Sequence, residues 1–137
     1  MAQTVAASSP CPCGRVGSSK KNLPFASCCG RWLEGSDVAP DAESLMRSRY
    51  TAFVLERAPY LLDTWHASTR PEALEFETGA KWLGLEVRQH QQTDATHAEV
   101  EFVARQRHAH GAASRLHERS RFVLEHGRWY YVDGSQR

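Results

Sequence analysis

All four cysteines of the chain fall between residues 11 and 29, as the pairs Cys11-Pro12-Cys13 and Cys28-Cys29. This clustering constrains the fold more than any other feature of the sequence. A Cys-x-Cys pair places two thiolates on one cation, an adjacent pair completes a tetrahedron, and four sulfur ligands suit zinc best. Adjacent cysteines are also awkward partners for a mutual disulfide. Four protein ligands leave no open coordination position. The expected ion is therefore a structural Zn2+ on Cys11, Cys13, Cys28 and Cys29, unable to activate water.

The surrounding residues explain why a metal is needed. Residues 11–35 are rich in Gly, Ser, Lys and Pro, and their large apolar side chains are few: Leu23, Phe25, Trp32 and Leu33. Such a segment buries too little surface to fold alone. Structural zinc supplies on the order of 10 kcal/mol. Arg15, Lys20, Lys21 and Arg31 lie in the same segment, where they offset thiolate charge or face an acidic partner.

The rest of the chain has no cysteine and reads as a second unit. At 137 residues the whole chain has room for one ordinary domain with a small appendage. A net charge of +1 excludes a global polycation that would dictate nucleic-acid or membrane binding. Residues 1–10 lack the basic and apolar regions of a signal peptide and are expected to be a disordered lead-in. No apolar run reaches the ~20 residues needed to span a bilayer. The expected location is cytoplasmic, where thiols stay reduced.

Residues 36–40 form a linker by composition. Asp41 is the expected N-cap of a helix carrying Leu45, Met46, Tyr50, Phe53 and Val54 at helical spacing. Arg47, Ser48 and Arg57 are expected to face water, with Arg49 reaching inward. Ala58-Pro59 ends that helix and starts a second one bearing Tyr60, Leu61, Leu62, Trp65 and His66. From Lys81 the period changes to two. Leu83, Leu85 and Val87 alternate with polar residues, as do Ala98, Val100, Phe102 and Ala104, then Leu116, Phe122 and Leu124. His126-Gly127 signals a hairpin into a last strand at Arg128–Val132. Short connections predict an antiparallel meander, and helices followed by strands give an α+β domain. Glu118 falls in phase with the inner face and needs a partner there; Arg49, Tyr50, Trp65 and His66 are the candidates.

Cys11-Pro12-Cys13-Gly14 with Cys28-Cys29-Gly30 resembles the SEC-C motif, the zinc module of the translocation ATPase SecA. Leu45-Met46-Arg47-Ser48-Arg49-Tyr50, Thr64-Trp65-His66, Trp82-Leu83-Gly84-Leu85, Val100-Glu101-Phe102-Val103-Ala104, Glu118-Arg119-Ser120-Arg121-Phe122 and Trp129-Tyr130-Tyr131-Val132-Asp133-Gly134 resemble the YchJ-like bacterial proteins. The likeness spans residues 11–134. It implies an NTF2-like cone over residues 41–134, a curved antiparallel sheet wrapped around helices, with a pocket inside. It implies a shape rather than a reaction. The stretch from Gly14 to Ser27 is longer than the usual SEC-C loop, but lengthening a loop costs under ~1 kcal/mol and leaves the ligand pairs intact. Some relatives carry another SEC-C motif at the C-terminus, and this chain ends at Arg137 without one.

Three function classes follow. The first is an interaction module or scaffold: a protein partner on the zinc knuckle, as SEC-C of SecA recognises a chaperone and ribosomal components, with a small ligand in the cone. The second is an acid/base enzyme of isomerase or dehydratase type, with Glu118 or His66 as base, Tyr50 or Trp65 orienting substrate, and Tyr130 and Asp133 as weaker additions. The third, nucleic-acid binding by the knuckle, lacks an aromatic-plus-basic stripe. A homodimer is compatible with the fold, since NTF2-like sheets often offer their convex face to a second copy. Glu99, Glu101, Arg119 and Arg121 make that face charged.

Overall fold

The computed structural model describes residues 4–35 and 37–137. Met1–Gln3 of the expected lead-in and Ser36 of the expected linker lie outside the described residues. The elements run as a 3-10 turn at Phe25–Ser27, helices α1 (Gly30–Leu33), α2 (Ala42–Leu55) and α3 (Ala58–Asp63), and strands β1 (Lys81–Gln92), β2 (His97–Arg107), β3 (Ala113–Glu125) and β4 (Arg128–Gln136). The strands pair in sequence order as one antiparallel meander.

Local chemistry sets the ends of α2. The Asp41 side chain accepts from Ser44 N at 2.7 Å, satisfying one of the free N–H groups of the first turn. At the other end Glu56 turns left-handed (φ 55), and Arg57 N and Glu56 N reach back to Ala52 O and Phe53 O. That is the Schellman pattern of closure. In the β3–β4 hairpin, His126 and Gly127 both have positive φ, the twist that a two-residue hairpin loop favours.

Helix α2 is buried on nearly every side; only Glu43, Arg47 and Phe53 are half-exposed. The concave face of the sheet takes one side, through Val100, Phe102, Ala104 and Phe122. The cysteine segment takes the other, and its buried residues Cys11, Cys13, Phe25, Cys28 and Cys29 join the same apolar cluster as Leu45, Met46 and Tyr50. Two expectations change here. Ser48 does not face water: it is fully buried and bonds Leu45 O and the Tyr60 hydroxyl, at 2.7 and 2.6 Å. Arg47 lies along the segment and donates to Cys13 O at 3.0 Å. The reason for both is a covering layer that helical periodicity alone does not reveal.

The lead-in is also not loose where it is described. Phe25 N and Ala26 N donate to Ser9 O and Ala7 O at 2.8 and 3.0 Å, Pro10 bridges Pro24, and Val5 packs on the core. In β1 the register shifts between Trp82 and Gly84. A bulge of this kind turns side chains to the other face. Trp82 therefore packs on the core while Leu83, expected inside, is exposed.

Candidate metal centre and cone cavity

The backbone brings the two cysteine pairs together by a hairpin. Val16 bridges Asn22, Gly17–Lys21 forms the turn, and Leu23 N and Cys11 N close it through Arg15 O and Leu23 O. The long stretch between the pairs is thus folded back on itself. The 3-10 turn at Phe25–Ser27 then delivers Cys28 and Cys29 to the start of α1, where Cys29 O accepts from Trp32 N and Leu33 N.

The four Sγ atoms lie within 4.8 Å of one another, and all four residues are buried. Cys13 Sγ stands 3.6 Å from Cys28 Sγ. A zinc ion with sulfur at ~2.3 Å in a tetrahedron needs sulfur–sulfur edges of ~3.8 Å. The donor set therefore fits such an ion in geometry as well as in softness. Close packing couples the thiols: hydrogen bonding to Cys13 lowers Cys11, while hydrogen bonding to Cys11 raises Cys29. Four ionised sulfurs at this spacing call for a cation among them. Outside the quartet, Thr51 Oγ1 of α2 lies 3.8 Å from Cys11 Sγ, and Arg15 donates to Ser44 Oγ at 2.8 Å. These contacts bind the centre to α2.

On the opposite side of α2 the cone holds a partly open cavity of about 270 Å³. Seven of its walls are aromatic: Tyr50, Phe53, Trp65, Trp82, Phe102, Phe122 and Tyr131. Arg49 and Glu118 are its two charged walls. Arg49 is 6% exposed. Its Nη1 donates to Leu61 O at 2.8 Å and Thr64 Oγ1 at 2.7 Å, tying α2 to the end of α3. The guanidinium also lies over the rings of Tyr131 and Trp65, 4.6 and 5.0 Å from their centroids. Burial brings its pKa down to about 10. Among the described residues it forms no ion pair.

Glu118 is oriented by Ser120 Oγ, which donates to its Oε2 at 2.5 Å. Gly134, paired with Ser120 on β4, lies beneath it, and a methyl there would overlap the Glu118 carboxyl. Burial, followed by the charge of Glu118, pushes the Tyr131 hydroxyl up to about 12. The indole Nε1 of Trp65 is buried with no hydrogen-bond partner among the described residues.

Sequence reasoning grouped Arg49, Tyr50, Trp65, His66 and Glu118. Four of them line this cavity; His66 does not. The expected second helix stops at Asp63, and Trp65 instead makes a parallel bridge to Tyr131. Successive residues of an extended segment point to opposite faces. With Trp65 on the cavity, His66 turns to a polar groove, where its Nε2 meets Glu125 Oε2 at 3.0 Å and its Nδ1 meets Ser68 Oγ at 2.7 Å. His66 and Glu118 are therefore not an acid/base pair. Tyr130 packs against His66, and Asp133 is held by Arg121 at 2.5 Å; neither lines the cavity. Phe53 and Phe102 were legible as core residues but not as cavity walls, and Trp82 fell on the phase opposite the expected inward face of β1. No helix among the described residues is long and apolar enough to cross a membrane.

Comparison with known proteins places this geometry. Residues 41–134 match the family described as YchJ, middle NTF2-like domain. A UPF0225 protein of Polaromonas sp. is 70% identical over 93% of both chains, and one from Bordetella pertussis is 58% identical over 93% of this chain and 92% of its own. Among solved structures, a SEC-C motif containing protein from Rhodopseudomonas palustris superposes with a TM-score of 0.79 at 30% identity, covering 93% of this chain and 98% of that one. Another, from Psychrobacter arcticus, gives 0.76 at 28% identity, covering 93% and 82%. With its cysteine quartet and its four-stranded cone, this chain belongs to the YchJ-like UPF0225 family of SEC-C motif proteins.

Proposed function

We propose that this protein binds a small molecule in its NTF2-like cone, with a tetrathiolate zinc centre fixing the N-terminal segment against the outer side of α2. One observation carries the reading: an aromatic-walled cavity into which a buried arginine, without an ion pair among the described residues, and a separately held carboxyl both project. Interiors are close-packed, and cavities with a few convergent polar groups are the usual form of a ligand site. Zinc has a structural role in this reading, because four sulfurs close its coordination shell. Native mass spectrometry of the purified chain tests both parts. The expected result is one zinc per chain, together with a small-molecule adduct that is lost in Leu116→Trp, a substitution that plugs the cavity. A zinc-loaded, folded wild type that neither retains nor takes up any compound from a metabolite extract would sink the ligand reading.

The outer hairpin supports a second reading, a protein partner on the metal segment. Its turn leaves Val16 53% exposed beside exposed Lys20 and Lys21, an apolar spot rimmed by positive charge. An acidic protein surface fits it. Val16→Asp combined with Lys20→Glu and Lys21→Glu is expected to lose capture of that partner while retaining zinc. Capture that depends on RNA, abolished by nuclease, would replace this reading with nucleic-acid binding.

A further inference from the structure

The cavity walls say more than that something binds, and the following rests on the ligand-binding reading. The seven aromatic walls favour a flat aromatic body, because ring faces and edges pack on planar partners. The volume of about 270 Å³ exceeds the ~150 Å³ of an engineered cavity that admits benzene, so a fused bicycle suits it better than a single ring.

The polar groups then restrict the edge of that body. Arg49 spends Nη1 on Leu61 and Thr64, while its Nε and Nη2 hydrogens have no protein partner among the described residues. They are donors for a ligand acceptor. Glu118 supplies the complementary acceptor, already oriented by Ser120 and by the absence of a side chain at Gly134. The two charges sum to zero without touching. An anionic ligand would leave the cavity net negative beside Glu118, and a cationic one would leave it net positive beside Arg49. A neutral ligand keeps the balance and satisfies both groups.

We infer that the cone selects a neutral, planar heteroaromatic compound presenting a cyclic-amide edge, its carbonyl accepting from Arg49 and its ring N–H donating to Glu118. The chemical class is the fused-ring lactam.

The test uses the full zinc-loaded chain and three probes of similar size. Carbostyril carries the lactam edge, naphthalene has the body without the edge, and quinaldate replaces the edge with a carboxylate. Binding is followed by NMR titration of the Trp65 and Trp82 indole N–H signals. Carbostyril is expected to bind at least about 10-fold more tightly than either competitor, since a site built to hydrogen-bond a group discriminates against its absence. Glu118→Leu should remove that preference and leave naphthalene unchanged, whereas Glu118→Gln, which keeps an acceptor, should retain most of it. Should Glu118→Leu fail to fold, Ser120→Ala frees the carboxyl from its orienting hydroxyl and should narrow the same ratio. Naphthalene equal to carbostyril, or quinaldate tighter than carbostyril, overturns the lactam assignment while preserving a ligand site. No binding of any probe, with no difference between wild type and Leu116→Trp, overturns the assignment and the ligand reading together.

Discussion

The segment before the linker and the cone after it solve the same problem by different means. The cone buries its own apolar residues, with Leu45, Leu61, Val100 and Phe122 almost inaccessible. Among its described residues the segment has Phe25 as its only large buried apolar side chain besides the cysteines, and it gathers four sulfurs instead. One unit is held by many weak contacts, and the other presents a donor set suited to a few strong metal–sulfur bonds. The two are not independent, because α2 serves as the inner wall of both. The expected linker separates them in sequence, but Ala39 within it is buried and the cluster on either side is continuous.

The largest expected effect comes from removing the metal side of that comparison. Cys28→Ser with Cys29→Ser, or chelation, should remove ~3 kcal/mol or more and lower the melting temperature by ~10 °C or more. Hydrogen exchange should show opening of the segment and also of the α2 face carrying Ser44, Arg47 and Thr51. Opening confined to the segment would mean that the two units are separable after all. Next in size, Phe122→Ala deletes a cone residue that is 1% exposed and should cost ~3–5 kcal/mol, with zinc content unchanged. Zinc loss in that variant would show that the cone is needed to build the metal centre.

A smaller effect probes the joint itself. Arg47→Met keeps the apolar stem but loses the bonds to Cys13 O and Glu43, at 3.0 and 2.9 Å. It should cost ~1–3 kcal/mol and ease chelation. Alkaline pH tests the cone alone. Burial raises Tyr50, Tyr60 and Tyr131 to about 12. Each then keeps its proton longer folded than unfolded, so its contribution is full below the unfolded pKa of ~10 and declines as pH rises toward 12. Arg49, lowered to about 10, works in the opposite direction, but one group opposes three. Denaturant titrations should therefore show stability falling between pH ~10 and ~12, and ultraviolet titration should show late tyrosine ionisation. A flat profile would mean that these hydroxyls reach solvent. The smallest effect belongs to the outer face. Arg121→Ala breaks an exposed pair with Asp133 and should change stability by ~0.5 kcal/mol or less.

What was legible in the sequence follows from range. Asp41 as a cap, Ala58-Pro59 as a break, His126-Gly127 as a turn and the alternation of the strands are local signals, and local geometry matches them. The cysteine quartet was legible because all four thiols fall within one short window of the chain. Glu118 stood out because it interrupts an apolar alternation on an inward face, and Arg49, Tyr50 and Trp65 were grouped with it as helix residues within its reach. The remainder depends on contacts between distant parts of the chain. Arg47 reads as solvent-facing until the cysteine segment meets it through Cys13 O, and Ser48 until the Tyr60 hydroxyl of α3 closes over it. Leu83 reads as inward until the bulge at Gly84 turns it, and His66 reads as helical until Tyr131 draws its neighbour into a bridge.

That bridge has a consequence for how the molecule behaves among its own copies. A four-stranded open sheet has two edges, and an unpaired edge is a template for other chains. On β4, Tyr131 spends both backbone groups on the side away from β3: its N–H goes to Thr64 O at 2.9 Å, and its carbonyl accepts from His66 N at 2.7 Å. The short stretch Thr64–His66 thus occupies the middle of the edge as a stub of a fifth strand. An incoming strand would find its pairing sites already taken there, so the β4 edge is shielded at its middle by the same stretch that brings Trp65 to the cavity wall.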